Sequence, residues 1–212
     1  MNAVLLTSAY LAPVRYYSKL YAAPRVFEER CEYYVKQTYR NRCIIAGPEG
    51  PQALTLPVEH GGGARPLTRD IRLSDHGNWR HVHWNALASA YEKSPYFEYY
   101  ADDFRPFYER RFTFLVDFNA GLRDLVCDLL QLHPDITVTT SYADAAALGA
   151  DDFRETLRPK LSAADDPSFL PLPYWQVFAG RTGFLPDLSI VDLLFNMGPE
   201  ARLVLRDSVV QP

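Results

Sequence analysis

The sequence predicts an α+β fold: a single domain over residues 1–212, in which a mixed sheet of N-terminal strands and a hairpin is covered by three central helices. Short β-type runs bounded by Gly and Pro fill the first third of the chain, and helical periodicity of apolar residues takes over in the middle. The length of 212 residues and the hydrophobic fraction of 48% match one domain with a buried core.

The predicted strands begin at the N-terminus. Residues 3–7 and 26–28 are short apolar runs typical of buried strands. Between them, Pro13 fixes φ at a value suited to the first turn of a helix, which we expect to extend to Leu20. Residues 42–57 contain two β-type runs around a Gly/Pro turn and therefore predict a hairpin.

Helical periodicity predicts three helices in the middle of the chain, because apolar residues recur there three and four positions apart. The predicted helices cover residues 79–91, 96–108 and 111–132. The remaining predictions are a loop at 60–64, short strands at 70–74 and 136–139, and loops with short helix over 141–173.

The last predicted helix starts at Ser189. Ser189 and Asp192 have the spacing of a capping box, in which the serine hydroxyl accepts from the backbone amide three residues on. Asn196 lies four residues after Asp192 on the same helix face, so it is a candidate for ligand contact, although a structural role at the helix end is the leading interpretation.

The charge distribution favours a small anionic ligand. The net charge is −4, but residues 1–45 contain seven basic and only three acidic side chains. A DNA- or RNA-binding domain would usually be basic overall, with an estimated pI well above the 5.7 of this chain. We therefore expect no nucleic-acid partner. The alternative, that the basic side chains form a solvated face, stays open.

The composition also bears on location. No apolar run approaches the roughly 18–20 residues of a membrane-spanning helix. The N-terminus lacks the basic residues of a secretory signal. Three cysteines are a small and odd number, which does not suit a disulfide framework. These observations predict a cytoplasmic protein without a membrane span.

The first candidate site is the basic segment from Lys36 to Arg42. Lys36, Arg40 and Arg42 are interleaved with Tyr39 and Asn41. Arginine binds phosphate or carboxylate through two parallel hydrogen bonds, and lysine adds a point charge. We interpret this segment as a clamp for a phosphate-bearing substrate. Surface ion pairing with the glutamates that precede it is the alternative.

The second candidate site is the histidine-rich segment that leads into the first central helix. His76 and His81 are candidate general acids or bases, since an imidazole titrates near neutral pH. Asp75 raises the alternative of a metal site, but helical spacing places His81 and His83 on different faces. Trp79 is assigned to substrate binding, with helix packing as its alternative, and His83 is assigned to packing.

Cysteine nucleophiles are a further possibility. Cys31 and Cys43 lie in the electropositive N-terminal segment, which would lower a thiol pKa. An acyl-enzyme intermediate would need a histidine nearby, and the sequence places none beside them. Cys127 lies inside a predicted helix and is expected to be core.

The order of these motifs resembles the WbqC-like protein family of bacteria, in the short form typical of Bacteroidota. The resemblance covers nearly the whole chain. The motifs that carry it are Tyr10-Leu-Ala-Pro13, Tyr16-Tyr-Ser-Lys19, Tyr34-Val-Lys-Gln-Thr-Tyr-Arg-Asn-Arg42, Trp79 to Tyr91, Ser94-Pro-Tyr-Phe97, Ser189-Ile-Val-Asp-Leu-Leu-Phe-Asn196 and Gly198-Pro199.

The resemblance implies a role in making surface polysaccharide, because the family takes its name from O-antigen gene clusters, and its members are often labelled glycine or acyl transferases. It places the family's Tyr-Leu-Pro signature on Tyr10, Leu11 and Pro13 and its following lysine on Lys19. The family's basic segment falls on Lys36 and residues 40–42.

The resemblance also carries the family's C-terminal aspartate and asparagine onto Asp192 and Asn196. The chain departs from longer members in two respects. It has Ala9 where they commonly have a polar residue, and it lacks most of their segment before the last helix. If the missing segment binds the acceptor in longer members, this second difference implies another acceptor for the short form.

The resulting hypothesis is a cytoplasmic transferase of acyl or aminoacyl type that modifies a sugar precursor. Its partners would be a phosphate-bearing small-molecule donor and that precursor. Lys36, Arg40 and Arg42 would hold phosphate, Tyr10 and Lys19 would line the pocket, and His81 would be the base. The alternative is a non-catalytic saccharide-binding or assembly protein with a tyrosine-rich docking surface, since tyrosine is the commonest aromatic residue, at 14 copies.

Overall fold

A computed structural model describes residues 2–59 and 65–210. The predicted loop at residues 60–64 lies outside the described residues. The strands are β1 (Ala3–Thr7), β2 (Val26–Glu29), β3 (Arg42–Gly47), β4 (Gly50–Thr55), β5 (Ile136–Val138) and β6 (Ala150–Asp152). The α-helices are α1 (Val14–Ala22), α2 (Trp79–Tyr91), α3 (Phe97–Glu109), α4 (Leu115–Leu129), α5 (Ala179–Thr182), α6 (Ile190–Met197) and α7 (Ala201–Asp207).

Four strands form a parallel sheet in the order β5-β2-β1-β6. Val4, Leu5 and Leu6 of the inner strand β1 are fully buried, as expected for a parallel strand covered on both faces. α1 connects β1 to β2, and the direction of strand addition reverses beside β1, where β6 pairs with it. The carboxyl ends of β1 and β6 thus define a topological switch point, the usual ligand position in open α/β sheets.

The hairpin forms a second, antiparallel sheet of β3 and β4. Cys43, Ile45 and Leu54 point into the core and are almost completely buried, whereas Arg42 and Thr55 face outward. The predicted α+β class is therefore confirmed, with parallel and antiparallel pairing divided between two sheets.

The helices cover the core through aromatic contacts. Phe195 of α6 makes edge-to-face contacts with Tyr91, Phe97 and Phe104, which come from α2 and α3. Every residue of α6 from Ile190 to Asn196 is buried. α6 is therefore the centre of the helical layer. No helix in the described part of the chain is long and apolar enough to span a membrane.

Some predicted elements differ in extent. The predicted strand at 70–74 is a 3-10 helix at Thr68–Asp70 followed by isolated bridges, one of which joins Arg72 to Phe114. The same bridge keeps Phe114 extended, so α4 begins at Leu115 instead of residue 111. β6, α5 and α7 were not predicted.

The predicted capping box at Ser189 is wrong. The Ser189 hydroxyl donates to the Leu11 carbonyl at 2.7 Å, and it makes no cap bond to its own helix. The Asp192 carboxylate accepts from Tyr174 and Gln176 at 2.7 and 2.8 Å. Because α6 lies in the core, Ser189 and Asp192 form hydrogen bonds with other segments of the chain instead of capping their own helix.

Candidate functional site

A cavity of about 470 Å³ brings together several of the predicted site residues. We call it the basic cavity, and its lining includes Lys36, Asn41, Arg42, Ser74 and His76. Its walls come from the loop after β2, the outer edge of the hairpin and the segment before α2. The candidates from the two separate sequence motifs therefore meet at one place.

The hairpin positions Arg42. Arg42 and Thr55 are paired in the β3–β4 register, and the Arg42 Nε donates to the Thr55 Oγ1 at 3.1 Å. This bond uses one of the guanidinium donors and leaves the two terminal nitrogens for a ligand. Lys36 is exposed beside it, next to a tight turn in which Gln37 has φ of +59°.

Asn41 fixes the floor of the basic cavity. Its side-chain Nδ2 donates to the Leu56 carbonyl at 3.0 Å, and its backbone carbonyl accepts from the Leu56 amide at 2.8 Å. Asn41 is 5% exposed. It thus ties the basic loop to the chain that leaves the hairpin.

His76 closes the opposite wall of the basic cavity. It is exposed, and its backbone amide donates to the Ser74 Oγ at 3.1 Å. The Ser74 amide donates in turn to the Pro57 carbonyl at 2.9 Å, and Gly77 with φ of +73° allows the chain to turn into α2. Backbone contacts therefore hold the segment that carries His76 at the wall of the basic cavity.

The electrostatics of the basic cavity suit an anion. None of its described lining residues is Asp or Glu. In the described part of the chain, no ion pair includes Lys36 or Arg42. A protein of net charge −4 thus exposes two uncompensated cations at one cavity.

Other cations of the N-terminal segment lie inside the protein. Arg15 is 1% exposed, and its Nε lies 3.0 Å from the Asp187 Oδ2. Lys19 is fully buried, with its Nζ 2.8 Å from the Asp166 Oδ2 and 2.7 Å from the Ser168 Oγ. Burial lowers the Lys19 pKa, against the effect of Asp166. We call these two pairs, together with Arg40–Glu32, the buried ion pairs.

Arg40 belongs to the third pair. Its Nε and Nη2 lie 2.7 and 2.6 Å from the Glu32 Oε1, and both side chains are almost completely buried. Burial raises the Glu32 pKa, whereas Arg40 lowers it. The structure therefore places Arg40 in a structural contact, apart from Lys36 and Arg42.

Tyr10 lies in the core. Its hydroxyl is 3.0 Å from the His83 Nδ1 and 2.9 Å from the Tyr108 hydroxyl. Burial lowers the His83 pKa to about 4, so this imidazole is neutral and packs, as predicted. Trp79 is 7% exposed, makes an edge-to-face contact with His83 and donates from its Nε1 to the Ser74 carbonyl at 2.9 Å.

The remaining predicted residues also lie away from the basic cavity. Pro13 is buried and precedes α1. Asn196 is 3% exposed and donates to the Asp192 carbonyl at 2.7 Å. His81 is exposed on α2, and its Nε2 is 2.9 Å from the Asn85 Nδ2.

The cysteines are buried thiols. Cys43 is fully buried, and burial raises its pKa, the opposite of what the electropositive sequence context suggested. Cys127 also has a raised pKa, of about 12, for the same reason. The structure therefore gives neither of these two thiols the properties of a nucleophile.

A second cavity, of about 420 Å³, contains Tyr39. We call it the apolar cavity, because its lining includes Ile44, Leu161, Leu185 and several prolines. Asp187 also lines it, and sequence reasoning missed this residue. Asp187 has a left-handed φ of +54° and lies far along the chain from Arg15. The sequence around Asp187 therefore gives no local signal of its contact with Arg15.

The carboxyl edge of the parallel sheet is filled by the protein's own side chains. Glu29 is fully buried at the end of β2 and accepts from the backbone amides of Cys31 and Ala143 at 2.6 and 2.7 Å. The Thr139 hydroxyl and the Arg154 Nη1 also reach its carboxylate, at 2.9 and 3.3 Å. Glu29 thus fills the carboxyl edge of the sheet beside β1 with a carboxylate of the protein itself.

A third cavity, of about 660 Å³, lies at the opposite edge of the parallel sheet, before β2 and β5. None of the predicted site residues lines it. Two of its charged residues already have partners, since Asp135 pairs with Arg25 and Arg206 with Asp207. The basic cavity therefore remains the stronger candidate.

The tyrosines are mostly internal. Tyr10, Tyr16, Tyr17, Tyr91 and Tyr108 are each no more than 5% exposed. The exposed tyrosines with large accessible fractions are Tyr33, Tyr99 and Tyr142. The excess of tyrosine is therefore largely a property of the core.

Comparison with known proteins agrees with the resemblance seen in the motifs. The sequence profile of the WbqC-like protein family matches residues 8–157. The chain is 30% identical over 196 residues to Uncharacterized protein Rv1507c of Mycobacterium tuberculosis, which covers 82% of this chain and 84% of that protein. No solved structure matches. The matched profile spans both walls of the basic cavity, and the chain belongs to the WbqC-like protein family.

Proposed function

We propose that this protein is an acyl- or aminoacyl-type transferase that modifies a sugar precursor of bacterial surface polysaccharide and binds an activated anionic donor in the basic cavity. The observation that carries the proposal is the pairing state of the cations. Lys36 and Arg42 line a cavity without a carboxylate, whereas Arg15, Lys19 and Arg40 are compensated inside the protein.

The two cations suit an anionic leaving group. The terminal nitrogens of Arg42 can hold two phosphate oxygens, and Lys36 adds a mobile positive charge. When an acceptor hydroxyl attacks the activated carbonyl carbon of the donor, the new C–O bond forms and the bond to the leaving group breaks. The negative charge that then develops on the leaving group is stabilised by both cations.

His76 is the better candidate for the base. It lines the same cavity as Lys36 and Arg42, whereas His81 faces solvent from α2 and contacts Asn85. The His76 imidazole takes the hydroxyl proton of the acceptor as the new bond forms and passes it to solvent afterwards. The position of His76 in the basic cavity therefore supports it over His81 as the proposed base.

Two parts of the proposal, the sugar precursor and the cytoplasmic location, rest on other observations. Membership of the WbqC-like family favours polysaccharide synthesis through the origin of the family's name. The three cysteines are buried free thiols, as is typical of a reducing compartment.

A ligand screen followed by a transfer assay tests the proposal. Thermal shifts would be recorded with nucleotide sugars, acyl-coenzyme A and aminoacyl donors, and with free sugars in parallel. We expect stabilisation by the phosphate-bearing compounds. Donors that stabilise would be incubated with nucleotide sugars, and the modified sugar would be detected by mass spectrometry.

The matched histidines provide the control. His76→Ala should lower the transfer rate by roughly 100-fold or more while donor affinity is kept, and His81→Ala should leave both unchanged. Stabilisation by free sugars alone would contradict the transferase and favour a saccharide-binding protein. An unaltered rate in His76→Ala would remove the assigned base.

A further inference from the structure

The geometry points to an amphipathic substrate: a phosphate group joined to an apolar chain, with the phosphate in the basic cavity and the chain in the apolar cavity. This inference rests on the proposed function, because it extends the anion site at Lys36 and Arg42. It concerns a cavity that the proposed function does not use.

The two cavities lie along one face of the hairpin. Arg42 and Ile44 are two residues apart on β3, so both point outward, and they line the basic and the apolar cavity respectively. On β4, Thr55 lines the basic cavity and Pro51 the apolar one. The exposed Ala53, paired with Ile44, lies between them.

The strand register gives the distance that a ligand must cover. The Arg42–Thr55 pair and the Ala46–Pro51 pair are four residues apart in the hairpin register. At about 3.4 Å per residue, this corresponds to about 14 Å. One molecule with a medium-length chain spans that distance along the outer face.

The lining of the apolar cavity fits a chain and not a second anion. Leu161 on its wall is 43% exposed, so apolar surface is open to a ligand there. Its one carboxylate, Asp187, is already bound by Arg15 through the backbone amide at 2.8 Å and the guanidinium Nε at 3.0 Å. Arg15 thus compensates Asp187, and none of the described lining residues of the apolar cavity is Lys or Arg.

Charge therefore fixes the orientation of the occupant. The phosphate is attracted by Lys36 and Arg42 and meets no lining cation in the apolar cavity, whereas the chain gains by leaving water at Ile44 and Leu161. A purely polar donor would leave the apolar cavity empty.

Calorimetric titration of the intact protein with inorganic phosphate, butyl phosphate and octyl phosphate, kept below micelle formation, tests the inference. Affinity should rise with chain length by roughly two- to fourfold per methylene until the apolar cavity is filled. Equal affinity for all three compounds would overturn the amphipathic substrate. Loss of phosphate binding altogether would instead contradict the proposed function.

Two matched variants locate the chain. Leu161→Glu introduces a charge at the apolar cavity on an already exposed position, so it should abolish the gain with chain length and keep the affinity for inorganic phosphate. Leu203→Glu makes the same change on α7, where Leu203 is 50% exposed, and should alter neither. If Leu161→Glu and Leu203→Glu both keep the chain-length gain, the assignment of the apolar cavity is wrong.

The same titration separates the two sources of such a molecule. An acyl-coenzyme A would be an acyl donor, and a prenyl phosphate of similar chain length would represent a lipid-linked acceptor. Tighter binding of either, lost in Leu161→Glu, supports the inference and identifies the source. Binding of neither above the level of inorganic phosphate overturns it.

Discussion

Five of the seven basic residues of the first 45 positions fall into two regions that behave in opposite ways. In the buried ion pairs, Arg15, Lys19 and Arg40 are each at most 1% exposed and each faces a carboxylate. In the basic cavity, Lys36 and Arg42 face none within the described residues. Arg40 and Arg42 are two residues apart, and yet they belong to different regions.

This difference separates stability from binding. A buried pair costs desolvation, so removing one partner leaves an uncompensated charge, but its side chains cannot reach a ligand. An uncompensated exposed cation adds little to the free energy of unfolding and is free to bind an anion. Substitutions in the two regions should therefore affect different measurements.

The largest expected effect is on the buried pair of Arg40. Arg40→Met leaves Glu32 buried without its partner, so the free energy of unfolding should fall by roughly 3–5 kcal/mol in urea titrations. Arg42→Met, the matched control, should change it by less than about 0.5 kcal/mol. The double variant Arg40→Met/Glu32→Leu should recover much of the loss. Equal losses for Arg40→Met and Arg42→Met would remove the distinction between the regions.

Asp192 is a buried carboxyl without a cation as partner, so the pH dependence of stability extends the comparison. Burial raises the pKa of Asp192 to about 6, although Tyr174 and Gln176 donate to it. Between the unfolded pKa near 4 and this folded value, the native state binds the extra proton, so stability rises as the pH falls from 7 to 4. Protonation of Asp192 should add about 3 kcal/mol to the free energy of unfolding over this pH range.

Asp192→Asn removes that titration. The free energy of unfolding of the protein relative to Asp192→Asn should therefore increase by up to about 3 kcal/mol between pH 7 and pH 4. Urea titrations at each pH measure it. Parallel curves for the two proteins would mean that Asp192 does not titrate near pH 6.

A smaller effect is expected at the guanidinium of Arg42. Arg42→Ala should weaken pyrophosphate binding about tenfold, and Arg42→Lys, which keeps the charge without the planar fork, should weaken it about threefold. Both differences should shrink as salt is raised, because the site is exposed. Calorimetry at two ionic strengths measures them, and an unchanged affinity in Arg42→Ala would refute a role in binding.

The smallest effect is expected at His81. Its exposed ring contacts only Asn85 among the described side-chain bonds, so His81→Ala should change the free energy of unfolding by less than about 0.5 kcal/mol and leave pyrophosphate affinity unaltered. A loss of affinity in His81→Ala equal to that in Arg42→Ala would show that the site extends onto α2.

Local sequence patterns predict much of the fold. The apolar run of β1, the Gly/Pro turn of the hairpin and the periodicity of α2 each act within a few residues, and each prediction holds. β6 was missed because Ala150-Asp-Asp152 has no strand pattern, and it forms only by pairing with β1. The start of α4 was misplaced because Phe114 bridges to Arg72, a contact between distant segments.

The sequence predicts which residue types could form the candidate site, but it does not predict which of them form ion pairs inside the protein. Clustered charge and imidazole chemistry made Lys36, Arg42 and His76 candidates, and the three residues line one cavity. The sequence could not separate them from Arg40, because the partner of Arg40 is fixed by the path of the chain after β2. Asp187 was missed for the same reason, since Arg15 meets it only in the folded state.

The central claim is that Lys36 and Arg42 form the anion site of this protein. Calorimetric titration of pyrophosphate into the protein and into the double variant Lys36→Ala/Arg42→Ala, at matched ionic strength, tests it most directly. The account predicts a loss of affinity of roughly 100-fold with an unchanged free energy of unfolding. Pyrophosphate binding of undiminished affinity in the double variant would contradict it.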